Sequence, residues 1–233
     1  MINSVNNVKI IELNKLKQKK YQEETGTFLV EGYHLYLEAK EAGALIEAFS
    51  LDEKEGMTLV SKDVMKKLSQ TSSVPNVISH CKMLKKVELS DKILVLDDIQ
   101  DPTNMGTILR SAKAFGFNTV IASCESVSFY NDKVLRGSQG AIFKLNLING
   151  NLIEEVSKLK KMGYQVYGTD VRNGIDIKEI KKDGKLVLMM GNEARGLSLE
   201  LEELAHQNIY IKLDDMESLN VSACASILMY ELK

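Results

Sequence analysis

The feature that most constrains this chain is a set of short, uninterrupted apolar runs after residue 90: KILVL at Lys92–Leu96, TVIA at Thr119–Ala122 and KLVLMM at Lys185–Met190. A strand with one face in water alternates apolar and polar residues, whereas a strand covered on both faces does not need to. Helical spacing fills the intervals. Ile108, Leu109, Ala112 and Phe115 share one face of Asn104–Phe115, which Gly116 stops, and a helix over Leu152–Met162 ends the same way at Gly163. The pattern predicts further strands at Ile142–Leu147, Tyr164–Gly168 and Asn208–Leu213, a helix after Gly196 and a closing helix over Ser218–Leu232. This alternation implies an α/β fold, a parallel sheet covered by helices.

Upstream the pattern is different. KIIELNKLKQKK, residues 9–20, sets five lysines against Glu12 and reads as one basic helix, either a solvated face or an RNA-facing one. A strand at Phe28–Val30, a helix at Glu31–Ala42, a strand at Ala44–Leu51, a helix at Ser61–Leu68 and a strand at Val74–Ile78 should follow. These make a small α/β domain over 1–88, joined through His80–Ser90 to a second domain over 89–233.

Composition excludes several classes. With 30 basic and 32 acidic residues, a formal net charge of −2 gives no global attraction to a polyanion, so any nucleic-acid site is a local patch. No apolar run approaches the roughly 18 residues of a membrane helix, and MINSVNNVKI is not a basic start followed by an apolar stretch. A soluble, cytoplasmic protein with no membrane partner is expected. Cys81, Cys124 and Cys224, like His34, His80 and His206, are scattered without ligand spacing, so no metal is expected. A GK[ST] phosphate loop and a GxGxxG fingerprint are both missing, which weakens nucleoside-triphosphate and nicotinamide readings.

Ligands of open parallel sheets bind beyond the carboxyl ends of the strands, so the loops there matter most. Three stand out. In DDIQDPTNMGTILR, residues 97–110, Asp101-Pro102 sets a turn, Asn104 is placed to cap a helix, Gly106 permits close backbone approach, and Arg110 follows. In GNEARGLS, residues 191–198, two glycines bracket Glu193 directly after a buried strand. In DDMESLNVSA, residues 214–223, Ser218, Asn220 and Ser222 open an apolar helix, more polar groups than a helix cap explains. Each of the first two loops alone is accounted for by turns and caps.

Together, NxGxxxR, GNExxG and SLNVSA resemble the three ordered motifs of the SpoU family of RNA 2'-O-methyltransferases. KVLRGSQGAIFKL, residues 133–145, is similar to that family's Arg-x-Ser-x-Gly segment, and KLKQKKYQEETGTFLVEGYHLYLEA, residues 15–39, resembles the ribosomal-protein-like RNA-binding domain that many members carry. The resemblance implies a deep C-terminal trefoil knot, S-adenosylmethionine as methyl donor, a homodimer formed through the C-terminal domain, and methylation of a ribose 2'-hydroxyl in structured RNA. It implies catalytic roles for Asn104, Arg110, Glu193, Ser218 and Asn220. Cofactor contacts are implied at Gly191, Asn192, Gly196, Ile211, Leu213 and Leu219, and RNA contacts at Lys15, Lys17, Lys19, Lys20 and Arg136. The family proposal makes Arg110 a general base. A guanidinium stays protonated in proteins, so the alternative is that Arg110 holds a phosphate and stabilises the developing oxyanion.

One departure stands out. Where the family has Ile-Pro-Met and a glycine-containing loop, IKLDDMESLN has neither that proline nor that glycine and is one residue shorter, so a different backbone path is expected there. Asp214 and Asp215 add acidic charge at the same place. The N-terminal domain favours ribosomal RNA, the large subunit first, over transfer RNA, because the smallest transfer-RNA members lack it. The other reading left open is an RNA-binding or ribosome-assembly protein of the same fold without transfer activity.

Overall fold

The computed structural model describes residues 1–85, 88–170, 174–180, 184–215 and 218–233. They form two compact units. One comprises Met1–Leu84 with Tyr130–Phe143, the other Lys85–Phe129 with Lys144–Lys233. The division differs from the single boundary expected at 88/89 chiefly in assigning 130–143 to the first unit, where Phe28 stacks on Phe143 and packs on Tyr130 at ring distances of 5.9 and 4.7 Å.

The first unit begins with α1 (Val8–Lys15) and α2 (Lys19–Thr25), two helices in place of the single basic helix that the lysine run suggests. Ile10, Leu13 and Leu16 are buried on a shared core, and the chain then turns extended at Gln18. Buried Gln22 donates its amide to the carbonyl of Leu16 at 2.8 Å, which satisfies an acceptor that the break exposes. There follow β1 (Thr27–Glu31), α3 (Tyr33–Glu41), β2 (Leu45–Ser50), β3 (Thr58–Leu59), α4 (Lys62–Leu68) and β4 (Val77–Lys82). The sheet order is β1-β4-β2-β3, with β4 antiparallel to both neighbours. Being central, β4 cannot include Pro75, which has no N–H for the ladder, so the strand expected at Val74–Ile78 starts later and takes in His80.

In the second unit β5 (Lys92–Leu96) leads to α5 (Pro102–Ala114) and β6 (Thr119–Ala122). Residues 130–143 supply α6 (Asp132–Gly137) and a 3-10 turn at Ala141–Phe143 to the first unit. The second unit resumes with β7 (Asn146–Asn149), α7 (Leu152–Lys161), β8 (Gln165–Thr169), β9 (Ile175–Asp176), β10 (Leu186–Met190), α8 (Leu199–Glu202), β11 (Gln207–Tyr210) and α9 (Val221–Glu231). The strand expected at Ile142–Leu147 is thus a turn followed by β7, whose Asn146 aligns with Thr119 of β6. The last strand stops at Tyr210, because its outer partner β9 has only two residues, and leaves Ile211 and Leu213 in the loop beyond.

All neighbours in the order β7-β6-β5-β10-β8-β11-β9 pair in parallel, so every carboxyl end lies on one edge. All five residues of β10 are buried, as expected of a strand covered on both faces. Met190 of β10 is in register with Leu96 of β5, so the GNEARGLS loop and the DDIQD loop leave the sheet side by side. Chain order reverses here. After β5 the chain runs outward through β6 and β7, and later places β10 on the other flank, which makes this edge the switch point where ligands of such sheets bind.

Candidate active site

The cap of α5 decides what Asn104 does. Asp101, not Asn104, is the N-cap: its carboxylate accepts from the N–H groups of Thr103 and Asn104 at 2.6 and 3.0 Å, with Pro102 behind it in the first turn. That releases the Asn104 side chain. Its Nδ2 donates to Glu193 Oε1 at 2.7 Å, and its Oδ1 accepts from Asn220 Nδ2 at 3.0 Å.

Helix α9 fixes the polarity of this chain of bonds. Asn220, rather than Ser218, is its N-cap, and Asn220 Oδ1 accepts from Ser222 N (2.9 Å), Ser222 Oγ (2.6 Å) and Ala223 N (3.4 Å). With that oxygen engaged, Asn220 turns its amide nitrogen to Asn104, whose own nitrogen must then face Glu193. The order ends on a Glu193 oxygen that accepts, and it joins the loops after β5, β10 and β11.

The second loop is folded tightly on itself. A Cβ at Gly191 would lie 2.1 Å from the carbonyl carbon of Gly196, and Gly196 adopts φ 74°, so both positions need glycine. Asn192 and Gly196 exchange backbone bonds at 3.0 and 2.9 Å. The two aspartates following β5 hold the loop from outside. Asp97 Oδ2 accepts from Ser198 N at 3.0 Å; Asp98 receives Asn192 Nδ2 on its carbonyl at 3.0 Å and its carboxylate also takes Arg195 Nη2. Sequence reasoning passes over Asp97, Asp98 and Arg195. Their one signal is a pair of consecutive acids directly past a buried strand.

The structure thus brings Asn104, Glu193, Asn220, Gly191, Asn192 and Gly196 together. It sets Arg110 apart: six residues beyond Asn104, it lies about 240° round the helix, exposed on α5 in line with Thr103, Thr107 and Ala114. Among the described residues the side chains of Arg110 and Ser218 have no hydrogen-bond or ion-pair partner. Ile211 and Leu213 are half-buried and Leu219 is exposed. Among the described residues, the backbone groups of Leu213 and Leu219 meet no hydrogen-bond partner.

In the first unit, Lys15 bonds Glu12 at 2.7 Å, Lys19 and Lys20 lie 3.7 and 3.9 Å from Glu23 and Glu24, and Arg136 bonds Asp132 at 2.8 Å. Lys17 differs: its ammonium donates to the carbonyl of Lys67 at 2.6 Å, and burial pulls its pKa down. Burial pushes the thiols of Cys81 and Cys224 up to about 12 and about 11, which leaves both unreactive at neutral pH. Among the described residues no three His, Cys, Asp or Glu side chains gather as a metal site, and no helix is long and apolar enough to cross a membrane.

Residues 91–230 match the SpoU rRNA Methylase family, and residues 7–79 match the MRM3-like substrate binding domain. The chain is 35% identical, over all of its length and 98% of the relative's, to the 23S rRNA (guanosine(2553)-2'-O)-methyltransferase RlmP of Bacillus subtilis (strain 168). Among solved structures it is similar to an AdoMet-bound rRNA methyltransferase from Sinorhizobium meliloti, with a TM-score of 0.87, 24% identity and coverage of 99% of this chain and 96% of that one. It is also similar to an RNA 2'-O ribose methyltransferase, with a TM-score of 0.82, 28% identity and coverage of 99% and 97%.

Proposed function

Because the chain belongs to the SpoU rRNA methylase family, we propose that it methylates a ribose 2'-hydroxyl of ribosomal RNA, in the large subunit, with S-adenosylmethionine as methyl donor. The observation that carries this reading is the chain of bonds Glu193–Asn104–Asn220, which ties three strand-end loops at the switch point of a parallel sheet.

The residues present fit the donor. The loop from Gly191 to Gly196 admits no side chain at Gly191, and Leu213 and Leu219 offer backbone N–H and C=O groups for the edges of a nucleoside. When bound, S-adenosylmethionine supplies an electrophilic methyl group. The protein's task is placement: an acceptor oxygen held in line and at near-attack distance gains much of the acceleration without further chemistry. Asn104, itself held by Asn220, fixes the Glu193 carboxylate in place, and Ser218, in the third loop, is available to a substrate hydroxyl. The Arg110 guanidinium anchors the phosphate beside the target ribose and stabilises the oxyanion that develops as the 2'-hydroxyl gives up its proton to solvent water.

A homodimer belongs to the same reading. Ala223, Ile227 and Tyr230 recur at helical spacing along the exposed side of α9, and with Leu219 just before the helix they make an apolar stripe suited to a second copy. Arg110 on the exposed side of α5 would then serve at the subunit boundary. The third loop is the segment in which the family's trefoil knot would lie. The domain over 1–88 would bind RNA through Lys15, Lys19 and Lys20, joined by Arg136, while the domain over 89–233 transfers the methyl group in the cytoplasm. The test is incorporation of labelled methyl groups into unmodified large-subunit RNA, with mapping of the modified ribose. Label in transfer RNA alone would reassign the substrate, and RNA binding without label in either would leave a binding or assembly protein.

A further inference from the structure

We infer that Asp98 is a positioning residue for the GNEARGLS loop, acting on the proposed methyl transfer through Asn192 and Arg195 rather than by touching substrate. The inference rests on the function proposed for the site and assigns a part in it to a residue outside the three motifs.

The constraint starts in the backbone. Asp98 is one of two non-glycine residues with positive φ among those described, at 55°, in the left-handed region. Two buried serines in the turn after β6 hold it there. Ser123 Oγ accepts from Asp98 N at 3.1 Å, Ser126 Oγ accepts from Ile99 N at 3.1 Å, and the two hydroxyls lie 3.1 Å apart. The turn therefore aims the Asp98 side chain from a fixed base, with that side chain only 15% exposed.

The carboxylate faces donors from the neighbouring loop. Asp98 Oδ2 takes Arg195 Nη2 and, at 3.3 Å, Asn192 Nδ2, which also donates to the Asp98 carbonyl at 3.0 Å. With its nitrogen held in this way, Asn192 must present Oδ1 to the loop, where it accepts from Ala194 N at 2.9 Å and Arg195 N at 3.3 Å. Glu193 lies between these anchors. Asn104 fixes its carboxylate from one side, and Asp98 fixes its backbone from the other. Gln100 Nε2 completes the cluster, donating to Asp98 Oδ1 and, at 3.2 Å, to the carbonyl of Glu125. The Asp98 side chain thereby joins the loops that follow β5 and β10, and Gln100 ties it on to the loop after β6.

The experiment compares Asp98→Gly, which accepts φ 55° at no steric cost, with Asp98→Asn, which tolerates it and keeps a carbonyl acceptor. The backbone carbonyl that holds Asn192 survives in both, and a thermal melt of each confirms that it is folded before the comparison is made. In the chain without donor or RNA, hydrogen exchange at the amides of Ala194 and Arg195 should accelerate in Asp98→Gly and much less in Asp98→Asn. With donor and RNA, kcat of Asp98→Gly should fall about 10- to 100-fold with KM for RNA unchanged, and Asp98→Asn should recover most of it. A residue that only supported the fold would lower the melting temperature and leave this split unmade. Loop exchange and kcat within about twofold of the parent in folded Asp98→Gly would overturn the inference. If the parent itself transfers no methyl group, the functional reading falls, and unaltered exchange in Asp98→Gly would still defeat the clamp by itself.

Discussion

In the unit built on the seven-stranded sheet, the bonds that assemble the site join residues 89 and 116 positions apart, Asn104 to Glu193 and Asn220 to Asn104. In the unit built on the four-stranded sheet, the candidate RNA-binding cations meet carboxylates within one helical turn: Lys15 with Glu12, Lys19 with Glu23, Lys20 with Glu24, Arg136 with Asp132. Both sets are polar and mostly exposed, yet they do different physical work. The long-range set exists only when the sheet is folded, and each member's orientation is dictated by the next. The local pairs are largely exposed and salt-screened, each contributing little, and a phosphate can displace the carboxylate with little loss. A site that places reacting atoms needs the first arrangement, while a surface that attracts a polyanion is served by the second.

The largest effect that would sharpen this contrast is expected for Arg110→Ala. Among the described residues Arg110 has no carboxylate partner to share its charge with, unlike the lysines of the other unit, so its removal leaves the fold intact. Turnover should drop roughly 100- to 1,000-fold with donor affinity kept, read by single-turnover methylation and by calorimetry. Failed donor binding with intact turnover per bound donor would contradict its role. Next comes Asn104→Asp, which still accepts from Asn220 but sets a second carboxylate where Glu193 now receives a donor at 2.7 Å. A fall in kcat of about 100-fold is expected, partly recovered as pH drops and one of the two acids takes up a proton. Activity equal to the parent at neutral pH would break the claim that the chain of bonds is directional.

The same contrast explains what the sequence discloses. KILVL, TVIA and KLVLMM are legible as buried strands because period and burial are local properties, and Gly116 and Gly163 mark helix ends by their backbone alone. The three loops are legible as a set, but their internal wiring is not. Asn104 looks like a cap because nothing local says that Asp101 takes that task first. In the first unit the error runs the other way. A run of lysines suggests one continuous helix, whereas the break at residues 16–18 depends on Gln22 reaching the Leu16 carbonyl, a bond invisible to periodicity. Asp98 and Arg195 escape notice because an acid and a base 97 positions apart carry no pattern.

Within the first unit, Lys17 should separate from its neighbours. Replacing Lys15, Lys19 and Lys20 together by alanine should weaken RNA binding and flatten its salt dependence by about one unit of log–log slope for each phosphate no longer neutralised. Lys17→Met should instead cost about 1 kcal/mol of stability, because its ammonium is engaged by the Lys67 carbonyl at the end of α4, and should leave that slope unchanged. Titration of RNA binding against salt, together with thermal melts, distinguishes the two results. A slope change for Lys17→Met as large as for the others would break the distinction between structural and substrate-facing cations.

The smallest effect expected is a pH dependence that both units share for different reasons. Burial lowers the pKa of His80, against the pull of Glu47, whose carboxylate lies 3.6 Å from Nδ1. His206 is also held below its ordinary 6.5, by desolvation first and by Lys160 second. For each, the folded chain binds a proton less readily than the unfolded chain. The contribution to stability is therefore complete above the ordinary value and is lost as pH falls through 6.5 towards the folded pKa. In the second unit the cause is visible as a competition for one lone pair: His206 Nδ1 accepts from Val166 N at 2.9 Å, extending the β8–β11 ladder, and protonation removes that acceptor. Melting curves from about pH 8 to about pH 5 should show a shallow loss of stability. His206→Asn, which keeps an acceptor at the same distance along the side chain and does not titrate, should make that loss shallower, while His80 should account for the remainder. An unchanged pH profile in His206→Asn would mean that the ladder bond does not depend on the protonation state of the ring.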